Sequence, residues 1–164
     1  MFVMLSLGFG SGLPYILLIS TSTAWLRDVN IDLSYIGFFT WITFTYTFKF
    51  AWAPLVDRFS IPFLAHYGHR KSWIALMQII IFLSLLFISN INPIDNFILF
   101  CIVGATIAFA GSIQDIAIDA FRIEYAHISD QGNLAASYQL GYRLAIIAAT
   151  SLALIFADIN GWPL

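Results

Sequence analysis

Four ionisable side chains interrupt long apolar runs: Lys49, Asp115, Asp119 and Arg143. An ionised group at the centre of a lone membrane helix costs about 2.5–3.5 kcal/mol on insertion scales, so such residues need partners or a function. Asp115 and Asp119 are four apart, which puts both carboxylates on one helix face, one turn above the other. Two chemistries suit two acids and two bases at this depth. They can neutralise one another and hold helices in register, moving nothing. Alternatively they line a wet cavity, where Lys49 or Arg143 attracts an anionic substrate and one aspartate carries a proton. Gln114 reads either as a substrate hydrogen-bonder or as a helix–helix contact. A third chemistry, cation-dependent group transfer on the Asp115/Asp119 pair, needs more carboxylates than these two.

Other chemistry finds little support. No Ser/His/Asp set lies in an apolar run, and all three histidines fall in polar connections. His66 and His69 share one connection without a third ligand, so no metal site is expected. No Walker-type glycine loop is present. The expectation is a protein that is not an enzyme, with no catalytic residue, cofactor or metal. The lone Cys101 sits in an apolar run and reads as a small buried hydrophobe. Composition agrees. Of 164 residues, 60% are hydrophobic and 10% charged, against about 25% charged in soluble domains, and mean hydropathy is +0.87. That excludes an ordinary soluble enzyme, and the aromatic share of 17% excludes disorder. Seven Lys and Arg in a chain of net charge −2 exclude a nucleic-acid partner. The expected partner is membrane lipid.

The elements that must position these charges are membrane helices, each needing about 20 apolar residues. Five stretches qualify, at about 2–26, 35–56, 73–91, 97–122 and 134–157, giving an all-α polytopic membrane protein. The first has no basic segment before it and is too long for a signal peptide, so it reads as a retained helix. Counted from a common end, Asp119 lies about 5 Å in, Lys49 and Asp115 about 10 Å, and Arg143 about 13 Å. All four charges therefore fall in one slab. Arg58, Arg70 and Lys71, with Arg122, crowd the connections on one side, which places the N-terminus in the cytoplasm. Arg122 reads as a snorkelling end anchor, and Glu124, His127 and Asp130 as solvated loop residues. Trp25, Trp73 and Trp162 fall at stretch ends and read as an interfacial belt. Small residues recur every fourth position, at Gly8 and Gly12, at Gly104, Ala108 and Ser112, and at Gly141, Ala145 and Ala149. Such rows let helix backbones approach closely.

The segments Leu7-Gly8-Phe9-Gly10-Ser11-Gly12-Leu13-Pro14-Tyr15, Ala24-Trp25-Leu26-Arg27-Asp28 and Lys49-Phe50-Ala51-Trp52-Ala53-Pro54-Leu55-Val56-Asp57-Arg58 resemble the AmpG muropeptide permease family of the major facilitator superfamily. So do Gly141-Tyr142-Arg143 and, most specifically, Gln114-Asp115-Ile116-Ala117-Ile118-Asp119-Ala120-Phe121-Arg122-Ile123-Glu124. The related acetyl-coenzyme A transporters share some of these motifs. The resemblance implies a bacterial inner-membrane protein and the incomplete N-terminal half of a fold with a central, alternately opening cavity. It implies proton-driven import of anhydromuropeptides, small glycopeptides released in cell-wall recycling. Lys49, Gln114, Asp115, Asp119 and Arg143 are the candidates for the substrate and proton pathway. Asp57, Arg58, Arg70 and Lys71 are similar to the superfamily's cytoplasmic gate motif, with Ala53 where a glycine is usual and a longer intervening loop. Five stretches are one short of a six-helix half, so the chain is expected to be inactive alone and to need a second chain supplying further helices. The alternatives are a non-transporting membrane remnant or helper whose buried charges only hold helices together, or a related acetyl-coenzyme A transporter-like protein.

Overall fold

The computed structural model describes residues 1–62 and 68–162; His66 lies outside the described residues. It is helical, with no strand among the described residues. The first helix, α1 (Phe2–Ile16), continues through a π-helical turn at Leu17–Thr21 into α2 (Ser22–Asp28). Three short helices, α3 (Leu33–Thr40), α4 (Phe44–Thr47) and α5 (Ala53–Arg58), follow with 3-10 turns between them. Then come α6 (His69–Ile88), α7 (Phe97–Tyr125) and α8 (Gln131–Ile147), which passes through a second π-helical turn at Ala148–Leu152 into α9 (Ala153–Asn160). Four helical runs are long and apolar enough to cross a membrane: Phe2–Asp28, His69–Ile88, Phe97–Tyr125 and Ile128–Asn160. The chain is a multi-pass membrane protein.

The structure differs from the sequence expectation in the second stretch, where one continuous helix was anticipated. Residues 33–58 form a string of short helices and 3-10 turns instead. The threonines explain much of it: Thr40 Oγ1 donates to Gly37 O and Thr43 Oγ1 to Thr40 O, each at 2.7 Å. These i−3 bonds tighten the backbone away from α geometry, and Pro54 lacks the N–H needed to extend a helix through Trp52. The string still runs the length of α7. Tyr35 packs on Phe97, Phe39 on Phe100, and Lys49 reaches Asp119. Twenty-two residues of α7 separate the first contact from the last, about 33 Å of helix.

At the core is α7, with 56% of its apolar window buried against 17% for the Ile128–Asn160 run. Its glycine and serine row receives the second stretch: a Cβ on Gly104 would lie 2.9 Å from the Phe39 ring, and Trp52 Nε1 donates to Ser112 Oγ at 2.9 Å. Antiparallel α6 covers another face. Parallel α1 and α8 lock backbone to backbone, because a Cβ on Gly8 would overlap the Tyr138 carbonyl and one on Gly141 the Leu5 carbonyl. Asn92 ends the α6–α7 turn by accepting from Ile94 N at 3.0 Å and donating to Asp95 at 2.9 Å. Trp25 is not a lipid-facing belt residue. It is buried on α2, in edge contact with Phe100 of α7 and stacked on Trp162.

Candidate functional site

Midway along the bundle, α7 turns Asp115 toward the α1–α8 pair. Ser11 Oγ of α1 donates to Asp115 Oδ1, and Tyr138 Oη of α8 reaches the same oxygen at 3.1 Å. Tyr15, Tyr46 and Tyr142 surround this group in a linked set of rings, Tyr15 meeting Tyr46 edge-on at 4.9 Å and Tyr142 at 6.4 Å. Gly111 makes room for Tyr46, whose hydroxyl sits where a Cβ would be and is buried without a hydrogen-bond partner among the described residues. On a neighbouring face of α7, Gln114 is fully buried and donates to Gln78 Oε1 of α6 at 2.8 Å, while its own carbonyl oxygen has no partner among the described residues. Of the two readings of Gln114, this geometry is the helix–helix contact.

One turn further along α7, Asp119 stands between two cations. Lys49 Nζ lies 3.9 Å from one carboxylate oxygen and Arg122 Nη2 3.4 Å from the other. Both Lys49 and Asp119 remain nearly half exposed. Arg122 turns inward to this carboxylate instead of reaching for headgroups, and its carbonyl accepts from Gln131 at 3.2 Å. The reading in which Asp115 or Asp119 neutralises Arg143 finds no such ion pair among the described residues. Arg143 is exposed on α8, with no ion pair among the described residues. It lies five residues beyond Tyr138, about 7.5 Å along the helix and about 140° around it, so the two side chains leave α8 on different faces.

The gate candidates gather at the same end of the bundle. Arg70 Nη1 meets Asp57 Oδ1 at 2.6 Å and its Nε meets Glu124 Oε1 at 2.9 Å, joining α5, α6 and α7. Glu124 is therefore not a loop residue. It belongs to α7, which runs past the Arg122 boundary to Tyr125, and Arg70 draws it into a charged triad. Lys71 lies over the Phe121 and Tyr125 rings at 5.9 and 5.4 Å, within cation–π range. His69 Nε2 bonds the Val56 carbonyl at 2.8 Å, tying α5 to the start of α6. Arg58 is exposed and has no ion pair among the described residues. His127 and Asp130 are exposed, as expected. Sequence reading missed Ser11, Tyr138 and Glu124. The signal for the first two was available in the Gly8 and Gly141 positions, which pull α1 and α8 close enough for both hydroxyls to reach one acid.

The family model described as acetyl-coenzyme A transporter 1 matches residues 1–128. The chain belongs to this family. Among curated relatives, the chain is 36% identical to a transporter named AmpG 4 of Rickettsia conorii, over 100% of this chain and 40% of the relative. It is 37% identical to the anhydromuropeptide permease of Escherichia coli, over 95% of this chain and 31% of the relative. An AmpG 1 transporter of Rickettsia bellii is 35% identical over 90% of this chain and 36% of its own length. The resemblance to AmpG proteins read from the motifs is thus borne out across the chain, and the named relatives are transporters and permeases, not enzymes. This chain spans less than half the length of each.

Proposed function

We propose that this chain is part of a bacterial inner-membrane transporter that imports anhydromuropeptide-like glycopeptides, driven by protons, and that it is inactive without further helices. The observation that carries this reading is the 36–37% identity to AmpG 4 and the anhydromuropeptide permease along nearly the whole chain. The site supports it chemically. Asp115 is an acid ringed by hydroxyls at mid-depth, suited to exchange a proton. Lys49 with Asp119, and Arg143, supply cations for an anionic substrate, while Gln114 braces α6. Asp57, Arg58, Arg70 and Lys71 form the gate, with Glu124 as the added acid. The five-pass reading includes residues 33–58, which follow α7 over a membrane's thickness. The N-terminus is cytoplasmic on this reading, since Met1 shares a surface with Arg122 and Tyr125 at the end that also carries Arg70 and Lys71.

The test is uptake of labelled anhydromuropeptide by bacteria lacking their own permease. The chain is expressed alone and together with a second polypeptide carrying the remaining helices of an AmpG relative. Uptake is expected only from the pair, and to stop when the proton gradient is collapsed. Failure of the pair to import, with both polypeptides found in the membrane, overturns the reading. The family description supports one competitor, acetyl-coenzyme A, which is offered to the same cells' membrane vesicles as a second labelled substrate. Transport of acetyl-coenzyme A in place of the glycopeptide replaces the substrate assignment.

A further inference from the structure

The bundle divides into two layers with few polar ties between them. The α1–α8 pair is one layer, locked by Gly8, Gly12 and Gly141. The other consists of α7 with α6 and the 33–58 string. Among the described residues, side-chain hydrogen bonds between α7 and the α1–α8 pair occur at two places. Gln131, at the start of α8, reaches the Arg122 and Ala126 carbonyls at the end of the bundle. At mid-depth the tie is Asp115 with Ser11 and Tyr138.

The hydroxyl of Tyr138 carries one hydrogen and faces two acceptors. Its oxygen lies 3.1 Å from Asp115 Oδ1 and 3.1 Å from Ser11 Oγ. An ionised Asp115 draws both hydroxyls, because bonds to a charged acceptor are roughly twice as strong as neutral ones. A protonated Asp115 is a weaker acceptor. Tyr138 can then turn to Ser11 without breaking contact inside the α1–α8 pair, and the mid-depth tie of α7 falls from two hydroxyls to the Ser11 contact alone. The other titratable groups facing Asp115 are Tyr15 on α1, Tyr46 and Lys49 on the second stretch, Asp119 on α7 itself and Tyr142 on α8. α6 presents the neutral Gln78 to α7 at this level, held by Gln114.

We propose that Ser11 and Tyr138 are positioning residues for the Asp115 carboxyl. Together they form a hydroxyl latch that lets a proton arriving from water on Asp115 loosen α7 from the α1–α8 pair. The latch rests on the reading of Asp115 as a proton-exchanging group, but its test needs no transport. The full chain is placed in lipid vesicles and infrared difference spectra are recorded across a pH step, with Asp115→Asn identifying the Asp115 bands by their loss. In Tyr138→Phe, which keeps the ring, and in Ser11→Ala, the carbonyl and carboxylate bands of Asp115 are expected to shift, and to shift further in the double variant. A packing role alone leaves those frequencies in place. Asp115 bands that are present but unmoved in both single variants overturn the latch and leave the proton reading standing. If no band of the wild-type chain disappears in Asp115→Asn, both fall together.

Discussion

Arg70 touches two acids from two helices, and what that is worth depends on how wet the partners are. Its guanidinium is only 12% exposed, but Asp57 and Glu124 are 58% and 48% exposed. Ion pairs of this kind contribute about 1 kcal/mol or less. Arg70→Gln is therefore expected to cost about 1 kcal/mol in thermal unfolding of the detergent-solubilised chain, with the loss shrinking in high salt. A loss several times larger, or one indifferent to salt, means that the triad is desolvated more deeply than its geometry shows. Asp57 and Arg70 were legible in the sequence because their motif is familiar. Glu124 was not, because the apolar run gives out at Arg122. A helix does not stop where lipid stops, and α7 carries Glu124 out to Arg70 on its final turn. For Arg143 the position along its helix could be counted from the sequence, but which face of α8 it occupies depends on the Gly141 contact with α1.

Among the elements, close packing rests on single hydrogen atoms. Gly8→Ala would set a methyl into the Tyr138 carbonyl, a backbone atom that cannot turn aside. The expected cost is about 1–3 kcal/mol, the usual range for overpacking, seen as a lower unfolding temperature. Gly37→Ala is the control. A Cβ there meets nothing within 4 Å, and alanine favours the α3 helix, so stability should hold or rise slightly. Equal losses from both substitutions would discard the α1–α8 lock. A second element-scale prediction concerns pH. Asp32 caps α3 by accepting from Ser34 N at 2.8 Å, and that backbone bond holds its carboxyl below the usual carboxylate value. A depressed folded-state value means that the cap's support is present at neutral pH and is lost as the pH falls below about 4. Ser34 and Tyr35 amides should then exchange faster relative to an Asp32→Ala chain's pH baseline, which lacks the step. The four long helices were readable from apolar run length alone. The broken second stretch was not, because its apolar content matches a helix while its threonine hydroxyls and Pro54 set the backbone.

For the whole molecule, the deciding feature is the face that α8 leaves open. Only 17% of the apolar window in Ile128–Asn160 is buried, and Arg143 stands on its exposed side. Facing hydrocarbon, an unpaired arginine costs about 2.5–3.5 kcal/mol near the centre of the bilayer and less toward its edge. No ion pair within the described chain offsets that cost, whereas relatives more than twice as long have further chain that could. The two situations predict opposite signs for one substitution. In the chain expressed alone, Arg143→Leu removes a lipid-facing charge and should raise the amount of folded protein recovered from membranes. In the chain paired with a polypeptide supplying the remaining helices, the same substitution should lower anhydromuropeptide uptake at least tenfold while both polypeptides stay in the membrane. A gain in both settings assigns Arg143 to lipid and removes it from the transport path. A loss in both means that the chain already supplies Arg143 with what it needs, which contradicts the exposed, unpaired position seen on α8.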